Sequence, residues 1–240
     1  SRRRHTRLQG DWSSDVCSSD LKKYIASSIG KKQIVAVSGL AMVLFLIIHL
    51  LGNFLIFKGP EALNAYSQML RDLGGLLWVA RGGLIASFVA HFLFILLIVI
   101  QNKKARSVDY ALPIRGSKRS FFTKTMRFSG LVIFIYIAWH LYDYTFTHAS
   151  LDNAVVKGEY LGLYGLVFNS FLNPFRALFY VIAMCAVGMH LTHAVQSIFQ
   201  TFGFSHRYYT PIIQRISIGL GAFVAVGFSS IPIYVFFVGG

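Results

Sequence analysis

Five stretches of the chain are almost continuously apolar, at residues 33–57, 77–100, 127–148, 174–199 and 212–237. Each is long enough for a helix to cross a bilayer, which takes about 20 apolar residues. The pattern therefore predicts an all-α integral membrane protein built as a bundle of five transmembrane helices. Punctuation between the stretches supports the boundaries. Gly59-Pro60 stops the first, and Pro60 suits the start of a short amphipathic helix over 61–73, with Leu63, Tyr66 and Leu70 at helical spacing. Gly74-Gly75 and Gly82-Gly83 bracket the beginning of the second. The connection between the third and fourth is long and partly apolar, and is expected to include an interfacial helix. Pro174 opens the fourth span, and Thr210-Pro211 resembles a cap followed by a first-turn proline for the fifth. No separate soluble domain remains and no internal repeat is evident.

Composition agrees with the pattern: 55% of the 240 residues are hydrophobic and 13% charged. The net charge of +14 does not indicate a nucleic-acid partner, because Lys and Arg collect between the spans and form no single amphipathic face. Lys103, Lys104, Arg106, Arg115, Lys118, Arg119, Lys124 and Arg127 lie in one connection, which also holds Pro113 and Gly116. With Lys22, Lys23, Lys31, Lys32, Arg207 and Arg215 they place fourteen basic residues on one side, against five on the other: Lys58, Arg71, Arg81, Lys157 and Arg176. Basic loops stay in the cytoplasm, so the N-terminus is expected inside, the C-terminus outside, and membrane lipid around the spans. The connection Lys103 to Arg127 is a candidate docking surface, although anionic lipid would suit the same charges.

Residues 1–21 differ from the rest, being polar and rich in Ser and Asp, and read as a disordered tail or a foreign extension with no assigned function. They carry no signal-peptide apolar core. Residues 22–240 form the membrane domain. Cys17 and Cys185 belong to no CxxC or CxxCH motif, which leaves disulfide, zinc and covalent haem attachment without support.

Candidate chemistry lies in the histidines. A polar ring inside a bilayer costs free energy unless it is partnered. A lone intramembrane His is commonly satisfied by an interhelical hydrogen bond, but here four spans each carry one: His49, His91, His140 and His190, with His193 one turn beyond the last. At a rise of about 1.5 Å per residue, His49 and His140 sit roughly 24 and 20 Å from the cytoplasmic ends of their helices, and His91 and His190 both roughly 15 Å. Four ligands thus form two height-matched pairs, separated vertically by on the order of 5 to 10 Å. This suits two stacked haems with two axial histidines each: His49 with His140 in the outer half, and His91 with His190 in the inner half. His193 is an alternative ligand or a partner to a propionate. Ala183, Ala186, Ala194 and Ser197 beside His190, Gly83 and Ser87 beside His91, and Gly52 beside His49 offer clearance for a flat ring, or simply close helix packing. Bis-histidine haem carries electrons and leaves no open iron position. His148, His206 and His5 read as solvated. Asp143 is the only acidic residue within a span; it could handle protons at an outer quinone site or be an ordinary interfacial carboxylate.

The segments "SGLAMVLFLIIHLLGNFLIFKG", "LIASFVAHFLFILLI", "FIYIAWHLYDY" and "VGMHLTHAVQSIFQTFG" resemble the five-helix, dihaem cytochrome b membrane anchor of succinate dehydrogenases and fumarate reductases, the b558 type. The resemblance covers about residues 22–240. It implies a subunit of a bacterial inner-membrane succinate:quinone oxidoreductase of the respiratory chain, assembled with a flavoprotein and an iron-sulfur subunit that carry the succinate chemistry. It also implies two haem b, held between the first and third and the second and fourth helices, and a quinone, commonly menaquinone, as electron partner. In the fourth helix relatives favour a His near a Gly; here Ala194 follows His193, so the ligand is His190 or His193, with His190 favoured by depth. Three rival functions share the same spans. An anchor of quinol:fumarate reductase runs the electrons in reverse, and an anchor cytochrome of another dehydrogenase has other partners. A small non-haem transporter shows no haem absorbance.

Overall fold

The structure, a computed structural model, describes residues 14–105, 121–147 and 152–239. Its helices are α1 (Ser14–Ala26), α2 (Ser28–Asn53), α3 (Pro60–Asp72), α4 (Gly75–Lys104), α5 (Phe121–Leu141), α6 (Gly162–Leu172), α7 (Pro174–Thr201) and α8 (Tyr209–Gly239). A 3₁₀ turn, Phe54–Lys58, extends α2, and a π-helical turn, Tyr142–Phe146, extends α5. The paired strands β1 (Val155–Val156) and β2 (Glu159–Tyr160) turn through Lys157 and Gly158, both at positive φ, as a two-residue hairpin requires.

Four helical segments are long and apolar enough to cross a membrane: α2 with its 3₁₀ extension, α4, α7 and α8, of 28 to 31 residues each. The expectation of five spans is met in part. A helix does form where the third span was predicted, but α5 falls outside this set. Its first turns carry Thr123, Lys124, Thr125 and Arg127, which leaves a short apolar stretch from Leu131 to Ala138.

Capping follows the sequence closely. The Asn173 side chain accepts the Phe175 and Arg176 amide protons at 3.0 and 3.2 Å, ahead of Pro174 at the first helical position of α7. Gly59, at φ 102°, releases the chain from the 3₁₀ turn into Pro60 of α3. At α8 the arrangement differs from the expected cap: the helix begins at Tyr209, and the Thr210 hydroxyl accepts the His206 amide proton at 3.2 Å. Helix α1 runs across the 21/22 boundary. Ser27 separates α1 from α2 by accepting the Gly30 amide proton at 3.0 Å.

The bundle is built on α7, which packs along α8, α5 and α2, while α4 lies against α2. Its middle is filled by Val43, Ala183, Met184, Val187, Leu191, Val195 and Val224. A second core, at the end away from the basic segments, joins Ile56, Leu63, Tyr164, Phe168, Phe171, Tyr180, Ile231 and Val235. There Asn64 of α3 donates to the Leu161 carbonyl at 2.8 Å and accepts the Tyr164 amide proton at 3.2 Å, clamping the predicted amphipathic helix to the predicted connection helix. Asn169 of α6 holds the hairpin by donating to the Asn153 and Val155 carbonyls. At the basic end, buried Lys31 donates to the Gln101 side chain at 3.0 Å and ties α2 to the end of α4. Lys103, Lys104 and Arg127 flank the basic connection on exposed surface. Arg106, Pro113, Arg115, Gly116, Lys118 and Arg119 lie outside the described residues, as do His5 and His148.

Candidate functional site

Two histidines meet in the half of the bundle away from the basic segments. His49 approaches from near the end of α2 and His140 from the last turn of α5, with ring centres 5.9 Å apart and ring planes at 81°. Two imidazoles sharing one metal ion at about 2.0–2.1 Å per nitrogen would have ring centres roughly 6 Å apart. The spacing therefore fits an axial pair. His49 stacks on Phe45 at 5.2 Å and meets Phe228 of α8 at 5.7 Å. Asn53, one helical turn on, donates to the His49 carbonyl at 2.7 Å and reaches His49 Nε2 at 3.4 Å, a long contact that a metal bond would replace. His140 Nδ1 lies 3.4 Å from the Tyr136 hydroxyl, one turn back on its own helix.

The other two histidines are held differently. His91 of α4 places Nδ1 3.1 Å from the Val35 carbonyl and 3.3 Å from the Ser38 hydroxyl, both on α2. His190 of α7 places Nδ1 3.2 Å from the Ser129 hydroxyl of α5. A glycine follows each serine, and the ring lies over it. A Cβ on Gly39 would come 3.3 Å from His91 Cε1, and one on Gly130 would come 3.5 Å from His190 Cε1. His193 is partly exposed one turn along α7.

Sequence reasoning missed Ser38, Gly39, Ser129 and Gly130, although a signal was present. Ser38-Gly39-Leu40 precedes His49-Leu50, and Ser129-Gly130-Leu131 precedes His140-Leu141, with eleven residues from serine to histidine in both. Helices α2 and α5 thus each carry a short repeat: a serine-glycine shelf toward the basic end and a histidine three turns further on. Because serine and glycine are ordinary packing residues in membrane helices, the repeat carries meaning only once a histidine from another helix is seen on each shelf.

The clearance expected around the histidines holds unevenly. Gly52 does not face a ring site. It receives Tyr66 of α3, whose hydroxyl would be 2.9 Å from a Cβ there. Ala183 and Ala186 are buried in the helix packing of the middle of the bundle. Gly83 lies on the exposed face of α4, where a Cβ would meet no protein atom within 4 Å, and Ser87 bonds back to its carbonyl at 2.8 Å. Ala194 and Ser197 are partly buried. His206 is exposed in the turn before α8.

Asp143 is buried within the protein. The amide of Thr147 bonds the Tyr142 carbonyl at 3.1 Å, five residues back, and this wide turn brings the carboxylate inward. Tyr180 of α7 donates to Asp143 Oδ2 at 2.8 Å, and Arg176 Nη2 lies 3.7 Å from Oδ1. Tyr144 pairs with Ser170 at 2.8 Å, and Tyr136, Tyr144 and Tyr180 ring His140 at 5.3 to 6.2 Å between ring centres. The ion pair joins the α5 extension to the start of α7. Asp143→Ala leaves the Arg176 charge unpaired and Tyr180 without its acceptor, and is expected to cost about 2–3 kcal/mol. Arg176→Ala strands the buried Asp143 carboxylate with Tyr180 as its remaining hydrogen-bond donor and is expected to cost more, about 3–5 kcal/mol. Thermal unfolding in detergent, followed by tryptophan fluorescence, measures both; equal losses would refute the assignment of Asp143 as the buried member.

Among the described residues no three His, Cys, Asp or Glu side chains converge as a metal-binding group. The search against family models, characterised proteins and solved structures gives no match to this chain.

Proposed function

We propose that the chain is the membrane anchor and electron-transfer cytochrome b subunit of a bacterial succinate:quinone oxidoreductase. In this reading α5 completes a five-helix transmembrane bundle around two haem b. His49 and His140 hold one and His91 and His190 the other, with His193 next to the second. Haem iron supplies one-electron redox chemistry between an iron-sulfur partner and a quinone, menaquinone being the expected type. The observation that carries the proposal is the pairing of four histidines from four helices. His49 and His140 stand at the separation of an axial pair, and His91 and His190 are each anchored through Nδ1, which leaves Nε2 for a metal. The basic bias puts the His91–His190 end at the cytoplasm, the side on which a flavoprotein and iron-sulfur partner would dock. It leaves the C-terminus outside.

The test is to purify the chain with its partner subunits, record a dithionite-reduced minus oxidised spectrum, and quantify haem per protein. Two b haems together with succinate-dependent quinone reduction are expected. One haem would remove one histidine pair from the scheme. No haem would refute the proposal and favour a non-haem membrane protein, and co-purification with a different dehydrogenase would reassign the partners.

A further inference from the structure

We propose that Ser38 and Ser129 are positioning residues that fix the protonation and orientation of His91 and His190, and thereby set the redox poise of the haem those histidines hold; this rests on the function proposed above. The argument is one of donors and acceptors. Ser38 Oγ lies 2.7 Å from the Ile34 carbonyl and 3.2 Å from the Val35 carbonyl, and a carbonyl can only accept. The hydroxyl proton is therefore committed, and the Ser38 oxygen faces His91 with a lone pair. His91 Nδ1 also meets the Val35 carbonyl, so it must carry a proton to satisfy either neighbour. The same logic holds for the second shelf. Ser129 Oγ donates to the Met126 carbonyl at 3.0 Å, and with that proton committed its oxygen is left to accept from His190 Nδ1 at 3.2 Å. Both rings are fixed as the Nδ1–H tautomer, with Nε2 bare and available as a ligand.

A serine bonding back to its own helix is common and by itself means little. What distinguishes these two is their recurrence. On two helices far apart in sequence, the same Ser-Gly pair receives the Nδ1 edge of a histidine from a neighbouring helix, at 3.3 and 3.2 Å. The other histidine pair lacks this feature, its polar contacts being Tyr136 and Asn53 of the same helices. A hydrogen bond accepted from the far nitrogen raises the basicity of a ligating imidazole and fixes its orientation, and loss of such a partner typically weakens metal binding roughly 10- to 100-fold. A more basic ligand favours oxidised iron, so removing the acceptor raises the reduction potential.

The experiment compares wild type, S38A, S129A, S38T and S129T in the assembled complex, by potentiometric titration of both haems and by the rate of haem loss to an external acceptor. S129A is expected to shift one haem's potential upward and speed its loss roughly 10- to 100-fold, and S38A to act in the same direction but less, because the Val35 carbonyl at 3.1 Å still accepts from His91 Nδ1; the other haem is unchanged in both. Threonine, which keeps the oxygen, restores both. Unshifted potentials in both alanine variants, or equal shifts of the two haems, would overturn this inference while leaving the proposed function standing. A wild-type complex without haem would overturn both together.

Discussion

If the proposed haem sites are correct, His190→Ala is expected to halve the haem content of the purified complex and His193→Ala to leave it intact. Both residues lie on α7 within one turn of each other, and depth along the helix favours His190 only modestly. The structure adds that Nδ1 of His190 lies 3.2 Å from the Ser129 hydroxyl of α5 while its ring lies over Gly130. A histidine that ligates through one nitrogen commonly gives the other to a backbone carbonyl or a polar side chain. His190 has that arrangement on the same terms as His91. Loss of an axial ligand removes the haem at that end, and the pyridine haemochrome assay should read one haem per protein in place of two. Full retention in His190→Ala combined with loss in His193→Ala would reverse the assignment and, with it, the role given to Ser129.

Gly221→Val is expected to be the most damaging substitution outside the histidines. At this position α7 and α8 make backbone contact. A Cβ on Gly221 would lie 2.5 Å from the Gly188 carbonyl oxygen, and one on Gly188 would lie 2.6 Å from the Gly221 carbonyl oxygen and 2.7 Å from Ala225 Cβ. Backbone oxygens cannot rotate away as a side chain can, so the helices must separate. Overpacking of this kind costs about 3 kcal/mol or more, which corresponds to a drop of roughly 6–12 °C in the unfolding temperature of a chain this size. Gly219→Val, on the same helix, is the control. A side chain there meets no atom within 4 Å, and its unfolding temperature should stay near that of wild type. A Gly221→Val protein as stable as the control would mean that α7 and α8 do not pack through this contact. Because Gly188 lies two residues before His190, the separation should also loosen the ring held on the Ser129–Gly130 shelf.

Much of the helical framework was legible from local signals. The lengths of the apolar runs, Pro60 and Pro174 at helix starts, and the Asn173 cap depend on backbone chemistry within a few residues, which sequence records directly. The pairing of His49 with His140 was legible too, because helical rise converts sequence position into height. The serine-glycine shelves were not. Each needs two helices to approach from different parts of the chain, and the residues involved are chemically unremarkable until a ring lies on them. Tyr66 at Gly52 was hidden for the same reason. The small residue looked like clearance for a ligand, yet the helix that fills the space comes from outside the span. Asp143 turned inward because a π turn displaced it from the register a regular helix would give, and Arg176 and Tyr180 became its partners only through the packing of α7 on α5.

The sequence by itself determined that this is a helical membrane protein and where its long helices run, since hydropathy and capping are local. Only the tertiary structure decided which small residues face a histidine, which fill a core and which bring two backbones together. Those outcomes depend on which helices touch, and a contact between distant parts of the chain leaves no mark on the local pattern of either.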